Sequence, residues 1–265
     1  MVRISSSISS SMLSRRNRVF VIGFILRIRF LHSYSNPTGY EITIVSHFKS
    51  ERKEYQSLKA TEKTNSIRHI IFDLGGVLIT FDPRKFLLDL FPDPQTGEAM
   101  YALIFQSREW TDLDRGRLSI QEAKEIFIER APSLETSIHQ FDRCWMHMFH
   151  PIPETVAILQ ELHDHGYPLY ALSNFIRESF EFLRPSFSFF DLFTAMVLSY
   201  RIGHVKPEPQ IYEHLLLAHK LEPEECLFID DMEQNVEGAR SAGIHSILFV
   251  SPQQLQSELR NHSIL

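Results

Sequence analysis

The sequence predicts an α/β protein: a parallel β-sheet covered by helices on both faces, with a small helical segment inserted after the first strand. Three observations carry this. Short apolar runs rich in β-formers recur through residues 66–265. Segments with helical periodicity separate most of them, the alternation expected of parallel strands joined by crossover helices. The alternation breaks once, over residues 82–166, where helical patterns occur without a strand.

The first predicted strand is residues 69–72 (HIIF). Residues 83–90, 96–106, 119–130 and 134–147 follow as four candidate helices. Tight connections cannot hold that much chain, so these helices are expected to form a lid over the carboxyl end of the first strand. Residues 153–165 return to the core as a helix with Val156, Leu159 and Leu162 on one face, stopped by Gly166. Strands are then expected at 167–172, 195–199, 226–229 and 245–250. Two more helices are expected between them. Residues 209–220 place Ile211, Leu215 and Ala218 on one face, and residues 233–242 end at Gly243. The division that results is a core of residues 66–81 and 151–265, with a helical cap over 82–150.

Composition excludes a disordered, collagen-like or membrane-spanning chain: 43% of the 265 residues are hydrophobic, 23% are charged and 21 are Phe. The two cysteines, Cys144 and Cys226, are too few and too far apart for a disulfide framework or a zinc site, which favours a reduced, intracellular compartment. The net charge of −6 hides an asymmetry. Residues 1–65 hold eleven basic and four acidic side chains, so they carry +7 and the remainder carries −13. The acidic part offers no basic face to nucleic acid. Residues 1–40 hold six Arg, no Lys and no acid among dense Ser, the composition of an organelle transit peptide; a dispensable extension ranks equally. The apolar run 19–26 is far short of the ~20 residues that span a bilayer, so no transmembrane anchor is expected. Residues 50–66 read as a polar linker. The protein is therefore expected in the cytoplasm, or in a mitochondrion or plastid if the extension is an address.

In open parallel sheets ligands bind beyond the carboxyl ends of the strands. The polar residues there are Asp73, Ser173 with Asn174, and Asp230 with Asp231, while Lys206 lies a short loop beyond the third strand. Singly, each is explained by a turn, a helix cap or a solvated loop. Together they are not. Carboxylates converging at neighbouring strand ends repel by up to ~4 kcal/mol per pair at 4 Å and an effective dielectric of 20. A hard divalent cation answers that repulsion, and Mg²⁺ typically takes one or two carboxylates, waters and a substrate phosphate. Lys206 and the Ser173 hydroxyl would face the remaining phosphate oxygens, an arrangement suited to phosphoryl transfer.

The runs 72–78 (FDLGGVL), 172–174 (LSN), 205–207 (VKP) and 228–231 (FIDD), with 235–240 (NVEGAR), resemble the four ordered motifs of the haloacid dehalogenase-like (HAD) hydrolase superfamily. The resemblance spans about residues 67–250 and implies a Rossmann-like three-layer α/β core with a small helical cap. Asp114-Arg115-Gly116, Trp145 and residues 206–208 with Ile211 and Tyr212 look most like the α-glucose-1-phosphate phosphatase type. The resemblance implies a Mg²⁺-dependent phosphomonoesterase of small phosphorylated metabolites, sugar phosphates among them. Asp73 would be the nucleophile, giving an aspartyl-phosphate. Ser173 and Asn174 would hold the phosphoryl group and Lys206 would neutralise it. Asp73, the Gly75 carbonyl and Asp231 would ligate the metal, with Asp230 as outer or alternate ligand and Asn235 in support.

One position departs from the family's majority pattern, which places a second Asp two residues after the nucleophile as general acid and base. Here that position is Gly75. Loss of a positioned acid costs roughly 10²- to 10⁴-fold, although the branch resembled tolerates Gly there. Tyr200, Asp82 and His204 are the nearby candidates to replace it, while Trp110, Asp112, Asp114 and Arg115 are expected to line the cap side. Two other functions stay open. A 2-haloacid dehalogenase would share the Asp nucleophile without a metal, and a phosphate-metabolite-binding or scaffold protein would have lost catalysis with the acid at position 75. His139, His147, His150, His163 and His165 are read as surface residues. The Phe cluster 180–193 is read as core, an exposed part of which could serve a homodimer.

Overall fold

The computed structural model describes residues 67–265 together with the segments Arg18–Val21 and Phe24–Arg27. Those two segments form a short antiparallel ladder, with Arg18 opposite Arg27 and Val21 opposite Phe24. The expected linker at 50–66, and the transit-peptide reading of 1–40 outside that ladder, lie outside the described residues.

Residues 67–265 build a five-stranded, fully parallel sheet from β1 (His69–Phe72), β2 (Leu169–Ser173), β3 (Ala195–Leu198), β4 (Cys226–Asp230) and β5 (His245–Leu248). The spatial order is β3-β2-β1-β4-β5, so β1 lies at the centre, with Ile71 opposite Tyr170 on one side and Phe228 on the other. Alternation along the strands feeds two apolar layers. Ile70 and Phe72 point into the larger one, which takes in α6 (Pro153–Asp164), α7 (Arg177–Leu183) and α11 (Pro252–Asn261). Ile71, Leu172 and Phe228 point into the other, covered by α9 (Pro209–His219) and α10 (Glu233–Ser241), while the one-turn α8 (Ser199–Ile202) follows β3. The three-layer α/β expectation therefore holds.

Between β1 and α6 the chain forms five helices: α1 (Pro83–Leu90), α2 (Pro94–Ile104), α3 (Arg108–Asp114), α4 (Ile120–Arg130) and α5 (Glu135–Cys144). Side-chain caps set most of their starts. Asp93 accepts from the N–H groups of Gln95 and Thr96 and Pro94 needs no donor, so α2 begins before residue 96. Ser119 and Glu122 form a reciprocal capping box on α4. The expected helix 134–147 breaks at Cys144 (φ −134°, ψ −6°) into a 3₁₀ turn, Trp145–Met148, whose first and last residues are buried. The chain leaving the core and the chain returning to it run side by side. Thr80 N–H donates to the His150 carbonyl (2.8 Å), Ile152 N–H to the Leu78 carbonyl (2.8 Å) and the Thr80 hydroxyl to the Met148 carbonyl (2.7 Å).

Other boundaries shift for local reasons. β2 starts at Leu169, since Pro168 has no N–H for the ladder, though its carbonyl accepts from Ile70 N–H at 3.2 Å. β5 stops at Leu248, after which Phe249 N–H makes the last ladder bond to the Asp230 carbonyl (2.8 Å) and Ser251 caps α11. The helices at Arg108–Asp114, Arg177–Leu183 and Pro252–Asn261 were not among the elements expected from periodicity. No helix of the described residues is long and apolar enough to cross a membrane. Of the Phe cluster, Phe180, Phe189 and Phe190 are buried core and Phe182 is 54% exposed.

Candidate active site

The site forms where β1, β2 and β4 end. Asp73 follows β1 and stays in register with the sheet, its N–H donating to the Ile229 carbonyl at 2.8 Å. Its carboxylate Oδ1 accepts from Leu74 N–H (2.7 Å) and from the Lys206 ammonium (2.8 Å). Lys206 also reaches Asp230 Oδ2 at 2.6 Å, so one ammonium bridges the ends of the two central strands. All three side chains are buried.

Asp230 is fully engaged by protein. Its oxygens accept from Lys206 Nζ, from Met232 N–H (2.8 Å) and from Asn235 Nδ2 (3.0 and 3.2 Å). Asp231, the next residue, is exposed, and among the described residues its carboxylate takes no hydrogen bond or ion pair from another side chain. Asp73, Asp230 and Asp231 each bring one carboxylate oxygen to within 4.8 Å of the others. Gly76 shapes this cluster. It sits at φ +77°, where a Cβ would lie 2.2 Å from Asp231 Oδ2, so only glycine leaves the carboxylate in place.

Burial pushes the Asp73 carboxyl up, Lys206 opposes that shift and Asp230 adds to it. Burial would by itself lower Lys206, but Asp230 and Asp73 outweigh it, and the ammonium is held charged. Partial desolvation against the buried site raises Asp231 too, with the Asp230 charge adding and Lys206 opposing. Two further signs fit a cation there. All donors are hard oxygens, and the buried Asn235 Oδ1 has no hydrogen-bond partner. The Gly75 carbonyl, in the turn above, takes no part in that turn's hydrogen bonds among the described residues.

Ser173 is buried at the end of β2; its hydroxyl donates to the Asn174 carbonyl at 3.4 Å and lies close enough to Asp73 to oppose the rise of that carboxyl. Asn174 uses both ends of its amide on Lys206: Lys206 N–H donates to Oδ1 (2.7 Å) and Nδ2 donates to the Lys206 carbonyl (3.1 Å). Its side chain thus positions the lysine. The Tyr212 hydroxyl donates to the Asn235 carbonyl at 2.8 Å and holds the start of α10. Ser199, which sequence reasoning missed, accepts from Phe175 N–H (2.9 Å) and ties the loop after Asn174 to β3. Neither of these two residues has a one-dimensional signal beyond its place near a motif.

The helical insert also reaches the site. Arg115 pairs with Glu208, whose carboxyl Arg115 holds down at about 2, assisted by Val205 N–H. Gly116, at φ +66°, rests on the core so closely that a Cβ would lie 2.5 Å from the Tyr200 carbonyl oxygen. Phe81 lies over Gly75, its Cβ 3.6 Å from where a Gly75 Cβ would be, and stacks on Phe149 (5.9 Å) and Trp110 (6.3 Å). Trp110 in turn lines a small apolar cavity inside the insert with Leu113, Phe127, Phe141 and Trp145.

A family model for haloacid dehalogenase-like hydrolases matches residues 67–243. The chain belongs to this family. Among HAD-like proteins it is 26% identical over 190 residues to a sesquiterpene phosphatase of Aspergillus oryzae, covering 72% of this chain and 93% of that one. It is 26% identical over 194 residues to a D-ribitol-5-phosphate phosphatase of Bacteroides thetaiotaomicron, covering 68% and 90%. The crystal structure of a HAD family enzyme from B. thetaiotaomicron in complex with magnesium and inorganic phosphate superimposes with a TM-score of 0.57 at 25% identity, covering 68% of this chain and 93% of that one. This HAD-like chain is thus a hydrolase whose sheet places Asp73, Ser173, Lys206, Asp230, Asp231 and Asn235 together. The three candidates for the missing acid are occupied elsewhere. Asp82 caps α1, His204 faces Glu208 (3.4 Å), and the Tyr200 hydroxyl accepts from Arg201 Nε (3.1 Å).

Proposed function

We propose that the chain is a Mg²⁺-dependent phosphomonoesterase acting on a small phosphorylated metabolite through Asp73. The observation that carries this is the Lys206 ammonium held between Asp73 (2.8 Å) and Asp230 (2.6 Å) beside the unpaired carboxylate of Asp231. That cluster is built for a phosphoryl dianion and a cation together, and the phosphatase relatives support the reading.

Asp73 Oδ2 is free of Lys206 and Leu74, so it is the atom that attacks phosphorus. The bond to the leaving oxygen breaks, an aspartyl-phosphate forms, and water then cleaves it to phosphate and regenerates the carboxylate. Lys206 and the Ser173 hydroxyl neutralise and hold the phosphoryl oxygens. Asn174 keeps Lys206 in place, and Asp230 with Asn235 fixes its far side. Asp73, Asp231 and the Gly75 carbonyl would hold Mg²⁺, and the ion would supply charge neutralisation at the phosphoryl group. Residues 82–150 act as the cap that receives the leaving group, and Phe81 with Trp110 favours an ester with an apolar carbon surface, sugar faces included.

The test is hydrolysis of an aryl phosphate with and without Mg²⁺, comparing wild type with Asp73→Asn. Wild-type turnover in Mg²⁺ that disappears in the variant is expected. Turnover that persists in Asp73→Asn refutes the mechanism, and halide release from a 2-haloacid in chelator would replace the reading with dehalogenation.

A further inference from the structure

We propose that Asp114, delivered by the helical insert, is the catalytic acid and base for the leaving group and the hydrolytic water, a role for which position 75 has no side chain. The inference rests on the phosphatase reading above. Asp114 ends α3, and its carboxyl lies within electrostatic reach of Lys206, Asp73 and Arg115. Among the described residues it makes no hydrogen bond or ion pair, since the Arg115 guanidinium beside it is turned to Glu208 and to the Gly203 carbonyl (3.4 Å). A carboxyl without a partner among the described residues, beside residues docked on the segment that carries Lys206, is available to a substrate.

Its position is enforced. The two residues after it are seated on the core segment that carries Lys206: Arg115 on Glu208 at 3.0 Å, and Gly116 against the Tyr200 main chain. Asp114 is therefore fixed relative to Lys206 by short links on both chains. Its charge state suits the task. Burial raises its pKa to about 7 and the Asp73 charge adds to that, while Lys206 and Arg115 oppose it, so both forms are populated near neutral pH. Those three are the charged groups that act on it.

The proton balance closes over one turnover. As Asp73 attacks phosphorus and the P–O bond to the leaving group breaks, the protonated Asp114 carboxyl gives its proton to the departing oxygen, which leaves as the alcohol. The Asp114 carboxylate then takes a proton from the water that attacks the aspartyl-phosphate. Inorganic phosphate departs, Asp73 regains its carboxylate and Asp114 is again protonated.

The test compares 4-nitrophenyl phosphate, whose leaving group needs no proton, with n-butyl phosphate, whose leaving group does, in Mg²⁺ with wild type, Asp114→Asn and Asp114→Glu. Asp114→Asn should lose roughly 10²- to 10⁴-fold on the butyl ester. On the nitrophenyl ester it should show a burst of nitrophenolate followed by slow turnover, because the phosphoenzyme forms but its hydrolysis lacks a base. Melting temperature and calorimetric Mg²⁺ affinity should match wild type, and Asp114→Glu should recover at least part of the butyl ester activity. Equal losses on both esters without a burst, or no loss, overturn the assignment while leaving Asp73 as nucleophile if Asp73→Asn is inactive. If wild type hydrolyses neither ester, the phosphatase reading fails and this role with it.

Discussion

Replacing Lys206 with Met removes the ammonium that bridges two buried carboxylates and keeps most of the side-chain volume. Asp73 and Asp230 bring oxygens within 4.8 Å of each other, and at an effective dielectric of 20 two charges at that distance repel by about 3.5 kcal/mol. Breaking a buried ion pair by deleting one partner costs about 3–5 kcal/mol, so the two estimates agree in size. The loss should depend on pH. Without Lys206, burial and the Asp230 charge raise the Asp73 carboxyl in the folded state above its unfolded value near 4. The cost of ionising it is absent below the unfolded pKa, grows as pH rises, and is complete above the folded pKa. Urea denaturation in chelator at pH 5 and pH 8 checks this: Lys206→Met should fall short of wild type by about 3–5 kcal/mol at pH 8 and by clearly less at pH 5. Added Mg²⁺ should restore part of the deficit at pH 8, because it neutralises the same carboxylates. A deficit that is independent of pH, or below about 1 kcal/mol at pH 8, would show that Lys206 does not hold these charges together.

Gly76→Ala should strain a left-handed backbone by about 1–2 kcal/mol and push Asp231 off its position, given the 2.2 Å approach of a Cβ to its Oδ2; calorimetry should find Mg²⁺ affinity weakened at least about tenfold, or 1.4 kcal/mol. Glu208→Gln should release Arg115 from the core and lower kcat/KM by roughly tenfold, with stability changed by about 1 kcal/mol or less because the pair is partly exposed. In wild type the stability from that pair is present above the unfolded Glu pKa near 4.3 and fades only as pH falls toward about 2, so denaturation profiles of wild type and Glu208→Gln should converge below pH 3.

What was legible in the sequence follows from which forces are local. β1 at His69–Phe72 and α1 at Pro83–Leu90 fall where composition and the Asp82-Pro83 start place them. The strand-end residues were legible because a parallel sheet aligns all its carboxyl ends, and Asp73, Ser173 and Asp230 needed only the right strands to converge. Helices α3 and α7 were not legible, since seven residues give two turns, too few to establish a period. The roles of Asn174 and Asp114 were hidden for a different reason. Asn174 sits 32 residues from the Lys206 main chain that claims both ends of its amide. Asp114 was legible as a residue on the cap side of the site, but its setting depends on where the insert lands along the segment that carries Lys206, a long-range packing outcome.

That landing point couples two parts of the chemistry. The segment from Ser199 to Glu208 carries Lys206 and also holds the insert, through Tyr200 against Gly116 and Glu208 against Arg115. Shifting the insert therefore moves Asp114 and disturbs Val205 N–H and Glu208, one and two residues from Lys206. An enzyme with an acid at position 75 carries its proton donor on the core, independent of any cap. Here the core lacks one, and if the proton passes through Asp114, the catalytic set is complete only while the insert is docked. Glu208→Gln should then lose more activity on an alkyl ester than on a nitrophenyl ester, although Glu208 touches neither the phosphoryl site nor the leaving group. The same loss on both would separate docking from proton transfer.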